Sequence, residues 1–256
     1  FVIGFILYGF GEAFRSGTHK AMIMEFLDYH NIQDEKSKVY GLTRSFSMIG
    51  STISSLLGAI FIIFGPDLRL LFLLSIIPYV IDLLLIMSYP NYLNLEKKVE
   101  ISFTDFLKGI SVVIVYTLKL KEIRSTLIDS AMYNAIFKSI KDYIQPIIIS
   151  FTMGIILVDR ISQDDNNLVI LALIYSGIYI ISAVTSKNSY KVLSFGGKDT
   201  MLYFVWALIS IVFVLQGLFV DLWYVTIVLF VLIYVLQNIR KPLMVQKIGE
   251  ITEKNK

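Results

Sequence analysis

The stretch MLYFVWALISIVFVLQGLFVDLWYVTIVLFVLIYVL, residues 201–236, holds one formal charge, Asp221, and that residue divides it into two apolar runs, Met201 to Val220 and Leu222 to Leu236. A helix needs ~20 apolar residues to cross a hydrocarbon layer of roughly 30 Å, so this stretch reads as two successive passes of a bilayer. The same texture recurs at Phe1 to Met24, Tyr40 to Phe64, Leu68 to Tyr89, Thr126 to Val158 and Leu168 to Thr185. None of these runs shows the polar/apolar alternation in ~10-residue segments that a membrane barrel requires. With 56% of residues hydrophobic, the composition lies outside the range of water-soluble domains. The expectation is an all-α, polytopic transmembrane helix bundle with seven spans, integral to a membrane and in contact with its lipids.

Charge placement orients those spans. Nineteen of the 23 lysines and arginines fall in alternate connections or after the last span. The intervening connections hold only Arg69 and Arg160, and Lys138 and Lys141 lie within a span. By the positive-inside rule the basic connections are cytoplasmic. The net charge of +3 therefore marks one face of a membrane and gives no reason to expect a nucleic-acid partner. This topology puts Phe1 outside. The chain opens in an apolar run without a basic leader and closes in the charged GEITEKNK, so the expectation is an interior piece of a longer polytopic protein.

With no cysteine and two distant histidines, His19 and His30, the sequence offers no disulfide, thiolate or histidine-built metal site. No cofactor or metal is expected. Residues 90–125 divide the chain. After a polar stretch rich in helix breakers, Phe103, Phe106, Leu107, Ile110, Val113, Ile114 and Thr117 recur at helical spacing, which predicts an amphipathic helix on the cytoplasmic surface. The domains read as residues 1–89 (three spans), a linker at 90–125, and residues 126–256 (four spans).

The segment LYGFGEAFRSGTHKAMIMEFLD, Leu7 to Asp28, resembles the fourth span of major facilitator superfamily transporters, with Gly9, Gly11, Ser16, Gly17, Ala21 and an acidic exit at Glu25 and Asp28. YIQP, Tyr143 to Pro146, resembles their seventh span. The long basic connection between two bundles is also a trait of that family. The resemblance implies spans 4 to 10 of a twelve-span transporter from a bacterial or archaeal plasma membrane. It also implies efflux or uptake of a small solute by alternating access, coupled to a proton or sodium gradient, and no enzymatic activity. The family's Asp-Arg loop signature, expected within Thr185 to Asp199, is represented there only by basic residues and glycines.

Within this frame, Asn134, Lys138, Lys141, Asp142 and Gln145 share about a 100° arc of one helix. Intramembrane charge faces a bundle interior or a water-filled cavity, so this arc is the candidate substrate path. Lys138 and Asp142, at i,i+4, are placed to pair, and Pro146 interrupts the hydrogen-bond ladder beside them. The alternative is that the two lysines snorkel to the interface. Two path lysines point to an anionic or zwitterionic solute. Asp82, without a neighbouring cation, is one coupling candidate. Glu12 is a second, with Arg15 either its ion-pair partner or its modulator. Asp129, opening its run, reads as a helix-dipole partner. Trp206 and Trp223 read as interface anchors. A non-transporting receptor, a lipid-handling scaffold and an intramembrane protease built on Glu12 and His19 are the competing functions.

Overall fold

The computed structural model describes residues 2–65, 70–93 and 103–254. Among them the chain forms helices α1 (Val2–Tyr29), α2 (Lys36–Phe64), α3 (Leu70–Leu74), α4 (Ile76–Met87) and α5 (Phe103–Lys119), followed by α6 (Lys121–Thr152), α7 (Gln163–Asn188), α8 (Lys198–Leu218) and α9 (Trp223–Lys254). Short 3-10 turns join α1 to α2 and α7 to α8, and no strand occurs among the described residues. Four helical segments, Gln33–Phe64, Gln163–Val192, Lys198–Leu218 and Trp223–Ile251, are long and apolar enough to cross a membrane. The chain is accordingly all-helical and consistent with an integral membrane protein.

Helices α6 to α9 share one core, in which Tyr133, Phe137 and Ile144 of α6 meet Ile178 of α7, Val205 and Ile209 of α8, and Phe230 and Ile233 of α9. Helix α2 lies along α7, and its sidedness is the reverse of a soluble helix. Its buried residues are Lys36, Ser37, Gly41, Ser45, Thr52 and Ala59, every one small or polar. Phe46, Ile49, Ile53, Leu57, Ile60 and Phe64 are exposed. In water the large side chains would turn inward. In hydrocarbon they have nothing to gain by doing so, and small residues inside let backbones approach.

The approach is closest at Gly41. A Cβ there would stand 2.5 Å from the Ser186 carbonyl oxygen, and the Ser186 hydroxyl donates to the Gly41 carbonyl at 3.1 Å. Ser182, Ser186 and Ser189 are all buried on the facing side. Gly41→Ala is expected to push α2 from α7 and to cost about 1–3 kcal/mol, the usual range for overpacking. Thermal unfolding in detergent is the check, and an unchanged melting point would mean that the contact yields freely.

Two expected spans end elsewhere. The run Leu68 to Tyr89 is interrupted at Ser75, which separates the five-residue α3 from the twelve-residue α4. Helix α9 does not stop at Leu236 but continues to Lys254. The polar residues that look like a loop, Gln237, Asn238 and Arg240, are buried inside the bundle. Helix α5 occupies the segment where an amphipathic helix is expected, and residues 94–102 ahead of it lie outside the described residues.

Helix ends follow ordinary capping chemistry. Ser162 caps α7: its hydroxyl accepts from the Asp165 amide, and Asp164 and Asp165 sit in the first turn, where the helix dipole favours carboxylates. The α6–α7 connection is closed by Asn166, 1% exposed. Its Oδ1 accepts from the amides of Leu157 and Val158, both at 2.9 Å, and its Nδ2 donates to the Val158 carbonyl at 3.1 Å.

Candidate functional site

A cavity of about 750 Å³ opens between α2, α4 and α7. Helix α2 contributes Ser47, Gly50, Ser51, Ser54 and Ser55, spaced so that hydroxyls and a glycine fall on one face. Tyr175 and Tyr179 of α7 stand opposite, and Tyr79 comes from α4. Two of the serines are engaged with main chain: Ser51 donates to the Ser47 carbonyl at 3.1 Å and Ser55 to the Ala172 carbonyl at 2.9 Å. The tyrosine rings form a chain: Tyr175 stacks on Tyr179 at 5.8 Å, and Tyr179 meets the edge of Tyr234 of α9 at 6.3 Å. Among the described residues no lysine or arginine lines the cavity.

No residue of the α6 arc is among the described residues that line this cavity. Asp142, Lys138, Lys141 and Gln145 are all exposed, and Asn134 is half-buried. The arc does not act as a unit. Asn134 turns to structure: its Nδ2 donates to the Ser130 carbonyl at 2.8 Å, and its Oδ1 accepts from Gln237 Nε2 at 3.3 Å. Lys138 and Asp142 form no ion pair with each other, contrary to the i,i+4 expectation. Asp82 lies exposed on α4. The side chains of Glu12, Arg15 and His19 lie outside the described residues.

A second polar system was not legible in the sequence. Arg240 of α9, 2% exposed, donates to the Asp129 carboxylate of α6 at 2.7 Å and to its main-chain carbonyl at 3.3 Å. Its guanidinium lies over the Tyr133 ring, 4.0 Å from the centroid, and 5.7 Å from that of Trp206. Trp206 of α8 donates its indole N–H to the other Asp129 oxygen at 2.5 Å. Asp129 is thus no helix-dipole partner and Trp206 no simple interface anchor: the carboxylate ties three helices together. Two residues before Arg240, Asn238 Oδ1 accepts from Arg44 of α2 at 2.7 Å, which joins α2 to α9. A sequence signal did exist, because Gln237, Asn238 and Arg240 continue the helical spacing of the apolar run before them.

Beyond these systems, Ile140, Tyr143 and Ile147 of α6 with Phe213, Gln216 and Phe230 enclose a largely apolar groove of about 340 Å³. Neither polar atom of the Gln216 amide has a hydrogen-bond partner.

No protein-family model matches the chain, nor does any curated protein or solved structure.

Proposed function

We propose that this chain belongs to a secondary active transporter that moves a small solute across a membrane by alternating access, with a major-facilitator-like bundle of seven spans. Its basic connections face the cytoplasm of a bacterial or archaeal cell. The observation that carries this reading is the hydroxyl- and tyrosine-lined cavity. It lies between α2, α4 and α7, among helices whose outer faces are apolar, and on the proposed division into three and four spans α2 and α4 belong to the first unit and α7 to the second. A polar hollow at the meeting of two bundles is where alternating access needs its binding site.

Contacts between the two units support the second half of the reading. They include the Gly41–Ser186 approach, where α2 begins and α7 ends, and the Arg44–Asn238 bond, which meets α9 at its midpoint. Closing one end while a cavity opens further along is the arrangement that rocking requires. In this scheme Asp142, Lys138, Lys141, Gln145 and Asn134 belong to the path wall on α6. Asp82 is the coupling group, or Glu12 with Arg15 as its counter-charge, for a proton or sodium gradient.

The experiment is solute counterflow into proteoliposomes with a panel of organic cations, organic anions and sugars, for the wild type and for Ser54→Trp. Ser54 is exposed to the cavity and belongs to no buried contact, so an indole there fills the hollow and spares the fold. Uptake is expected to fall at least roughly tenfold, the scale of misplacing a bound substrate, with an unchanged melting point. Full uptake by the variant, or no uptake of any solute by the wild type, sinks the reading.

A lipid-handling scaffold is the second reading, favoured by the apolar groove beside Gln216, whose unbonded amide would suit a lipid's polar linkage. Mass spectrometry of lipid retained after purification, compared between wild type and Gln216→Leu, decides it. Equal retention removes the groove as a lipid site.

A further inference from the structure

We propose, resting on the transporter reading above, that the cavity between α2, α4 and α7 is a site for an uncharged polyol, specifically a monosaccharide in its ring form. Three features of the wall converge on that chemistry.

The first is its composition. Of the eight described residues that line the cavity, seven carry a hydroxyl, four serines and three tyrosines, and the eighth is Gly50. A hydroxyl donates one hydrogen bond and accepts two. A carboxylate on a solute uses only donors and an ammonium only acceptors, so each engages part of what such a wall offers. A sugar hydroxyl both gives and takes, and several stand on adjacent carbons of one ring. Lys138 and Lys141, from which an anionic or zwitterionic solute is expected, are not among the described residues of the wall. The choice rests on the hydroxyls that are.

The second is availability. Ser51 and Ser55 already donate to main-chain carbonyls. Among the described residues no hydrogen bond engages the hydroxyls of Ser47, Ser54, Tyr79, Tyr175 or Tyr179, and Ser47, Ser54 and Tyr79 are exposed. On helices whose outer faces are apolar, an uncommitted hydroxyl is costly unless something polar meets it. Gly50 distinguishes this hollow from a packing seam. A Cβ there would meet nothing within 4 Å, whereas one at Gly41 would stand 2.5 Å from the Ser186 carbonyl oxygen. The missing side chain at Gly50 therefore leaves room for a solute and serves no helix contact.

The third is shape. The rings of Tyr175 and Tyr179 lie 24° from parallel with their centroids 5.8 Å apart, and Tyr79 adds a third ring from α4. A sugar ring has an apolar face of C–H groups, and the negative face of an aromatic ring receives such partly positive hydrogens. With that face on the tyrosines, the hydroxyls at the ring's edge reach the serines of α2 on the opposite wall. An open-chain polyol would satisfy the hydroxyls but not the platform. The volume of about 750 Å³ lies within the roughly 300–1,000 Å³ of small-molecule sites.

The test is calorimetric titration of the full chain in lipid nanodiscs with D-glucose, D-galactose, D-mannose, D-xylose and L-arabinose, and with phenyltrimethylammonium and benzoate as charged ring compounds. Saturable binding of at least one sugar is expected, with neither ion competing. The double variant Ser47→Ala with Ser54→Ala should bind that sugar roughly tenfold more weakly, the effect of losing two neutral hydrogen bonds. Tyr179→Leu should weaken it by a similar factor, and Tyr179→Phe, which keeps the ring, by less. Both serines are exposed, so their exchange leaves the fold intact, and matching melting curves verify this. No saturable binding of any of these sugars, tighter binding of either ion, or an unaltered constant in the double serine variant each overturns the assignment. Counterflow of the bound sugar separates the two claims. Binding without flux keeps the sugar site and removes the transporter reading. Flux of an organic ion that the sugars do not inhibit does the opposite.

Discussion

Asp129→Ala is expected to destabilise the bundle by about 3–5 kcal/mol, the cost of leaving one member of a buried pair alone. The reason lies in the asymmetry of the pair. The Arg240 side chain is 2% exposed and that of Asp129 is 29% exposed, so the cation has nowhere to find water once its carboxylate is gone. Its Nε already lacks a partner. Only the residue 129 carbonyl and the faces of Tyr133 and Trp206 would remain to it. Arg240→Met should cost less, because Asp129 reaches solvent and keeps the Trp206 indole as donor. The double variant Asp129→Leu with Arg240→Met should recover most of the loss, since apolar replacement of a whole buried pair is often neutral. Equilibrium unfolding in mixed micelles reads all three. Equal losses below 1 kcal/mol in both single variants would show the pair to be solvated.

The second large effect belongs to Asn166→Leu. Leucine matches the volume and removes the bonds, so the amides of Leu157 and Val158 lose their acceptor together. Each orphaned buried group costs about 1–3 kcal/mol, and the Val158 carbonyl loses a donor besides. Asn166→Asp is the informative companion. It preserves the acceptor for both amides but sets a carboxylate oxygen against the Val158 and Ser162 carbonyls, so it should also lose stability while keeping those two amides bonded. Amide hydrogen exchange at Leu157 and Val158 follows the mechanism directly: fast exchange in the leucine variant, near-native protection in the aspartate one. If both variants exchange alike, the connection is held by something other than the Asn166 side chain.

Helix existence was legible wherever apolar residues ran without interruption, as from Met201 to Val220, which forms most of α8. The extent of α9 was not. Gln237, Asn238 and Arg240 carry loop character by residue type, and only the partners Asn134, Arg44 and Asp129, far away in the chain, make them interior residues. A polar side chain is classed by what satisfies it, and that information is tertiary. The α6 arc shows the same limit. Helical spacing places Asn134, Lys138, Lys141, Asp142 and Gln145 on one flank, but it cannot tell that Asn134 bonds to α9 while the other four stay exposed. In the sequence Ser47, Gly50, Ser51, Ser54 and Ser55 recur at helical spacing. That they border a hollow with Tyr175 and Tyr179 required α7 to be in place.

Helix α9 is 32 residues long, a rod of about 48 Å at 1.5 Å per residue, against roughly 30 Å of hydrocarbon. A helix of that length laid across a bilayer leaves about three turns clear of the lipid. On that projecting segment Lys247 is paired with Asp199 at 2.8 Å and Glu250 with Lys198, both partners lying at the start of α8. These pairs meet the aqueous phase, where dissolved ions weaken attraction over about 8–10 Å. The same rod carries Arg240, Asn238 and Tyr234 further along its length, so whatever loosens its tip acts with leverage on the interior. One continuous helix thus bears both these charged pairs and the interior bonds of Arg240 and Asn238.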